Sequence, residues 1–230
     1  MKSITNFFRS SIGKKVLMSL TGLFLVTFLI EHLIGNLLLL RSDNGAFYDA
    51  YGEFMSSNLL VRTIEVLLFA SLLGHAVSGV MVWLENRRAR PQQYEVYRLN
   101  ENTPLASRIT MLTGSIVFIF LVVHLRTFFI PTRFADSHPS TALLVQRAFS
   151  SPWYSGFYVL ALILLAYHLR HGFQSAFQTL GLRGKKFDGV MDAIAFLVWF
   201  VIPAGFAILP VYFFFFRHIV DTAVTLGVKP

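Results

Sequence analysis

The chemistry in this chain rests on histidines placed where histidines are expensive. His32, His75, His124, His168 and His171 all stand inside long apolar stretches. The stretch Ala161–Gly181 also holds Arg170. Ionisable groups at bilayer depth cost about 2.5–3.5 kcal/mol each on insertion scales, so an intramembrane cluster needs partners or a function. A neutral imidazole offers a lone pair to a metal. Two opposed imidazoles fill both axial positions of a haem iron, which leaves no open site for oxygen and suits electron transfer. One such histidine is ordinarily a polar contact between helices. One on each of four successive apolar segments weakens that reading.

The segments that carry them are membrane spans. The 230 residues are 55% hydrophobic and 14% charged, with 24 phenylalanines, against about 25% charge in soluble domains. The fold class expected is an all-α integral membrane protein of one domain, residues 1–230, with spans at about 16–40, 61–84, 108–130, 153–180 and 190–216. Each exceeds the ~20 helical residues that cross a bilayer core. The apolar run after the basic N-terminal residues is too long for a signal peptide and is read as an uncleaved first span. Residues 41–60 and 131–152 read as loops, with Pro131 closing the third span. Pro203 and Pro210 fall inside the fifth, where membrane helices tolerate them.

The net charge of +8 comes from basic loops rather than a nucleic-acid surface. Lys and Arg are denser on the side holding residues 1–15, 85–107 and 181–189, which places the N-terminus in the cytoplasm and the C-terminus outside. The absence of cysteine excludes disulfides, thiolate-ligated haem, iron–sulfur clusters and covalent c-type haem within the chain.

Helix rise sorts the histidines by depth. His32 and His124 lie roughly 24 Å from the cytoplasmic side, His75 and His168 roughly 13–18 Å, so two pairs form two layers on the order of 10 Å apart. Two stacked bis-histidine haems, bundled by four of the five helices, match that layering. Gly35, Gly79 and Gly172 lie three or four residues after His32, His75 and His168, the spacing of helical neighbours that could admit a flat ring. His124 has Phe128 at that place instead. Arg126 and Arg170 each follow a ligand by two. They are candidates for haem propionates, against snorkelling for Arg126 and a helix–helix contact for Arg170. His171 is three residues from His168 and is a propionate or quinone contact, or an interhelical link. A zinc site on His168 and His171 lacks further ligands nearby.

These residues also carry a resemblance. Ser19–Gly22 (SLTG) is followed by Glu31, His32, Leu33 and Asn36. Glu65 stands ten residues before His75 and Gly79. Ser107 and Arg108 precede Thr113, Gly114, His124 and Leu125, and His168, His171 and Gly172 precede Gln178–Gly181 (QTLG). Over nearly its whole length the chain resembles the di-haem cytochrome b membrane subunit of succinate dehydrogenase and fumarate reductase (succinate:quinone oxidoreductase), in its single-chain five-helix form. The resemblance implies two haem b groups, with His75 and His168 holding the inner and His32 and His124 the outer. It implies menaquinone or ubiquinone as substrate, and partners on the cytoplasmic face: an iron–sulfur subunit and an FAD flavoprotein. It implies residence in a bacterial cytoplasmic membrane and service in electron transport. No dicarboxylate chemistry would occur on this chain; quinone reduction or quinol oxidation would. Quinone-binding candidates are Glu65 and Glu53 on the outer side and Ser19, Ser107 and Arg108 on the inner side. Glu31 is a polar partner at the outer haem or a proton carrier, and Glu65 an interhelical hydrogen bond or a proton carrier. One branch of the family has a glutamate two residues before the fourth-span ligand for transmembrane proton movement. Ala166 stands there here, so no compensating proton pathway is implied.

Two other readings fit part of the pattern. A di-haem cytochrome b serving a hydrogenase or formate dehydrogenase shares the paired histidines. A haem-free proton-coupled transporter would use them as a relay, and would be expected to show broken helices around a midplane site.

Overall fold

A computed structural model describes residues 10–89, 109–134, 139–184 and 188–216. Among them there is helix and turn but no strand. Five helical runs are long and apolar enough to cross a membrane: Ser11–Leu40, Leu59–Arg88, Thr110–Phe134, Pro152–Thr179 and Asp188–Phe215. They coincide with the five expected spans and make this a multi-pass membrane protein by length and composition.

The first run is α1 (Ser11–Leu37), tightening into a 3-10 turn at Leu38–Leu40. It starts earlier than hydropathy alone places it because Ser10 caps it: Ser10 Oγ accepts from the Gly13 N–H at 3.0 Å, satisfying an otherwise orphaned donor. The polar stretch 41–60, read as loop, holds a helix, α2 (Ala46–Ser57). Asn44 (φ 55°) and Gly45 (φ 82°) turn the chain into it through left-handed conformations. Asn58 then caps α3 (Leu59–Arg88), accepting from the Leu60 and Val61 N–H groups.

The third run is α4 (Thr110–His124), a widened π-type turn at Leu125–Phe129, and α5 (Ile130–Phe134). Pro131 therefore does not close it. Proline lacks an N–H and its ring crowds the carbonyl four residues back; the widened turn, in which the Ile130 N–H reaches the Leu125 carbonyl, absorbs that conflict and the helix continues. The fifth run repeats the device. Between α8 (Asp188–Phe196) and α9 (Ile202–Phe216), a π-type turn at Leu197–Val201 precedes Pro203. Such turns recur at functional sites, and the first of them begins at the residue after His124.

Residues 131–152, also read as loop, contain α6 (Thr141–Phe149). Ser140 caps it, and Asp49 of α2 accepts from Ser140 Oγ at 2.6 Å and from the Ala142 N–H at 3.0 Å. The two short helices α2 and α6 are thereby latched to each other. The fourth run, α7 (Pro152–Thr179), ends at Gly181 (φ 70°), where the Leu182 N–H bonds back to the Phe177 carbonyl at 2.9 Å, a glycine-terminated cap.

α1 packs along α3 and α7, α7 packs along α4 and α9, and α9 also meets α1. At the last contact the helices approach closely at Gly205: a Cβ there would stand 2.9 Å from a Leu33 methyl, which would have to shift. One buried cluster joins Leu39, Val145, Phe149, Tyr158, Leu209 and Phe213 under α6; another joins Val26, Leu169, Phe173, Val198 and Ile202 between α1, α7 and the fifth run. Large apolar side chains face outward along the runs, among them Leu59, Val66, Leu67, Phe118, Ile163 and Phe215, as lipid-facing surfaces require.

Candidate functional site

Four helices bring the histidines together as two pairs. His32 of α1 faces His124, the last residue of α4, with ring centroids 5.8 Å apart and planes crossed at 85°. His75 of α3 faces His168 of α7 at 6.1 Å and 79°. These are the pairs that helix rise assigns. Two metal–nitrogen bonds of about 2.0 Å, with half a ring on each side, would separate opposed imidazole centroids by about 6 Å; both pairs match that spacing, which also lies in the range of about 4.5–7 Å for plain edge-to-face ring contacts.

The hydrogen bonds orient the rings. His75 Nδ1 lies 3.1 Å from the Met18 carbonyl and 3.5 Å from Thr21 Oγ1. A carbonyl can only accept, so Nδ1 carries the proton and Nε2 keeps its lone pair. His124 Nδ1 lies 2.9 Å from the Tyr158 hydroxyl. Asn36, one turn beyond His32, donates to the His32 carbonyl at 2.7 Å, sits 3.4 Å from His32 Nδ1 and accepts from Tyr48. His168 Nδ1 is buried without a hydrogen bond of ordinary geometry, near the Thr110 main chain.

The surroundings differ between layers. The His75–His168 pair rests on glycines of neighbouring helices. A Cβ at Gly22 of α1 would stand 3.0 Å from His75 Cε1, and one at Gly114 of α4 would stand 3.2 Å from His168 Cε1. The glycines expected beside the ligands behave otherwise. Gly35 makes room for the Tyr51 ring, 2.9 Å from its would-be Cβ, whereas a Cβ at Gly79 or Gly172 would meet nothing within 4 Å. Open space thus adjoins each inner histidine one turn along its own helix. The outer pair sits in an aromatic sleeve: Phe28 and Phe206 against His32, Phe120, Phe128 and Tyr158 against His124.

This donor set suits one metal chemistry better than another. Among the described residues no three His, Asp or Glu side chains gather as metal ligands, so a protein-only zinc site, which needs three or four, does not fit at His168 and His171. Two imidazoles and an apolar sleeve fit an iron whose other four ligands belong to a macrocycle.

The remaining candidates scatter. Arg126 lies exposed in the widened turn after His124. Arg170 is exposed, with its guanidinium 5.2 Å from the Trp199 ring of the fifth run, the helix–helix contact weighed against a propionate. His171 is half-buried. Glu31 accepts from the Tyr51 hydroxyl at 2.5 Å; burial and that bond push the Tyr51 phenol above its ordinary value. Glu65 pairs with Arg62 at 2.7 Å on the same helix. Glu53 is exposed on α2 and Ser19 is buried in α1. Ser107 and Arg108 lie outside the described residues, as do most of 85–107 and residues 1–9 of the basic side. Lys14 and Glu85, at the cytoplasmic ends of α1 and α3 on the charge-based orientation, form an ion pair. Tyr158, Gly22, Gly114 and Asn36 enter the site without having been assigned roles from spacing.

Comparison with family models, with curated proteins and with solved structures finds no match to this chain.

Proposed function

We propose that this protein is the membrane anchor and electron-transfer subunit of a succinate:quinone oxidoreductase, carrying two b haems. The observation that carries the reading is the pair of histidine gaps, 5.8 and 6.1 Å, in which four helices each contribute one imidazole. Bound haem would supply one-electron transfer at each gap. The residues of the chain do the rest. Met18 and Tyr158 hold His75 and His124 by Nδ1, and the Phe28, Phe120, Phe128 and Phe206 rings keep water from the outer gap.

Electrons would enter from an iron–sulfur subunit and its flavoprotein on the cytoplasmic face, pass the inner pair, then the outer, and reach menaquinone or ubiquinone. Reversed, the same path serves fumarate reduction. Quinone chemistry needs protons; the candidates are Glu65, Glu31 and Glu53 on the outer side and Ser19, Ser107 and Arg108 on the inner side. Arg126, Arg170 and His171 are the groups available to haem propionates. The basic-side count favours an N-terminus in the cytoplasm and a C-terminus outside, and the resemblance implies a bacterial cytoplasmic membrane.

A dithionite-reduced minus oxidised spectrum with pyridine haemochrome quantitation tests the reading. About two b haems per chain are expected from two bis-histidine pairs, and a colourless protein purified from haem-replete cells would refute it. A di-haem cytochrome for a hydrogenase or formate dehydrogenase would give the same spectrum. Co-purification separates the two: succinate-oxidising flavin and iron–sulfur subunits for the first, a nickel or molybdenum partner for the second.

A further inference from the structure

We propose that Tyr158 is a positioning residue that holds His124 through Nδ1 and thereby sets the affinity and reduction potential of the outer metal group alone; this rests on the haem reading above. The Tyr158 hydroxyl lies 2.9 Å from His124 Nδ1 and 3.2 Å from the Tyr154 hydroxyl, so its oxygen can accept from Nδ1–H while the hydroxyl shares a second hydrogen bond with Tyr154. Tyr158 is 5% exposed. Its ring is wrapped by Phe120 at 4.8 Å, Phe149 at 4.9 Å and Tyr154 at 4.8 Å. For packing among those rings phenylalanine would serve, and it would avoid desolvating a hydroxyl, which is costly unless the group is hydrogen-bonded. The hydroxyl is spent on His124 and Tyr154.

The chemistry follows from the ring. A neutral imidazole carries one proton on two nitrogens. When His124 Nδ1–H donates to the Tyr158 oxygen, Nε2 keeps its lone pair for a metal, the tautomer is fixed and the nitrogen is made more basic. A more basic ligand favours the higher oxidation state of iron, so the bond lowers the reduction potential. The inner pair is arranged differently. His75 Nδ1 faces a main-chain carbonyl, that of Met18, which no substitution can remove without moving α1. Tyr158 is thus a side-chain control over one layer and not the other.

The test uses the full-length protein with its haems. Tyr158→Phe removes the hydroxyl and keeps the ring. Loss of such an outer partner typically weakens metal binding 10–100-fold. Redox titration should show the outer midpoint raised, the inner one unchanged. A tenfold change in the redox equilibrium corresponds to 59 mV for one electron. Loss of the outer haem with the inner retained would express the same weakening. Tyr154→Phe leaves the His124 contact in place and should move the outer midpoint less. Difluorotyrosine at position 158 preserves shape and hydroxyl but weakens the oxygen as an acceptor. It should raise the outer midpoint by less than Tyr158→Phe does, and it provides the measurement if the phenylalanine variant does not fold. An outer midpoint unmoved in both 158 variants, or a shift in Tyr154→Phe as large as in Tyr158→Phe, overturns the inference. A wild-type protein without haem overturns instead the reading on which it rests.

Discussion

Gly22 of α1 lies against the imidazole of His75, so close that a Cβ would stand 3.0 Å from Cε1. The contact is a buttress: one helix supplies the ring, its neighbour the absence of a side chain. Gly114 does the same for His168 at 3.2 Å. Gly22→Ala therefore pushes on an imidazole held at Nδ1 by Met18, and overpacking of this kind costs about 1–3 kcal/mol. Gly22→Ala is expected to lower the thermal midpoint and, on the di-haem reading proposed above, to reduce haem occupancy at the His75–His168 pair while the His32–His124 pair stays loaded. Gly114→Ala, with more room, should do less. Equal loss at both layers would place Gly22 in general packing instead.

The pairing itself makes a layer-specific prediction. His168→Ala removes one side of the 6.1 Å gap and leaves the 5.8 Å gap between His32 and His124 intact. On the proposed di-haem reading, haem content should fall from about two to about one per chain, with the midpoint of the His32–His124 haem retained in a redox titration. His124→Ala should give the complementary loss. Disappearance of the outer component in His168→Ala would overturn the pairing.

What could be read beforehand was what depends on translation along a helix. Rise per residue is fixed, so counting from the span ends matched His32 to His124 and His75 to His168. Rotation about the axis is not fixed by one sequence. That is why Gly35, Gly79 and Gly172 stood out by spacing, while the glycines that touch the imidazoles, Gly22 and Gly114, belong to other helices. Tyr158 escaped for the same reason: its partner lies 34 residues away in sequence. The helices α2 and α6 were hidden because their sequences, AFYDAYGEFMSS and TALLVQRAF, are too short and too polar to read as spans. Pro131 misled because the widened turn that accommodates it leaves no local signature.

The outer helix α2 predicts an alkaline dependence. Burial, reinforced by the neighbouring Asp49, pushes the Tyr48 phenol up to about 12, from about 10 in an unfolded chain. Below pH 10 both states keep the proton and stability does not vary on this account. Between about 10 and 12 the unfolded chain releases it while the folded protein holds it, so stability falls as pH rises through that window. Thermal midpoints in detergent, measured from pH 9 to 12, should show this decline in the wild type and a shallower one in Tyr48→Phe. Identical slopes would exclude Tyr48 as its source.

Gln146 of α6 sets the last prediction. It is 0% exposed, and neither Nε2 nor Oε1 has a hydrogen-bond partner among the described residues. Its neighbours on the same helical face, Ala142, Val145 and Phe149, belong to the apolar cluster with Leu39, Leu209 and Phe213. An unsatisfied buried polar group costs about 1–3 kcal/mol, whereas leucine of similar size would join the cluster. Gln146→Leu is accordingly expected to raise the thermal midpoint. Gln146→Glu, which adds a charge at the same place, should lower it sharply. Because α6 is latched to α2 through Asp49, the change should register as global stability and not as local fraying. Destabilisation by Gln146→Leu would mean instead that the amide is engaged in the working protein by a bound water or ligand group.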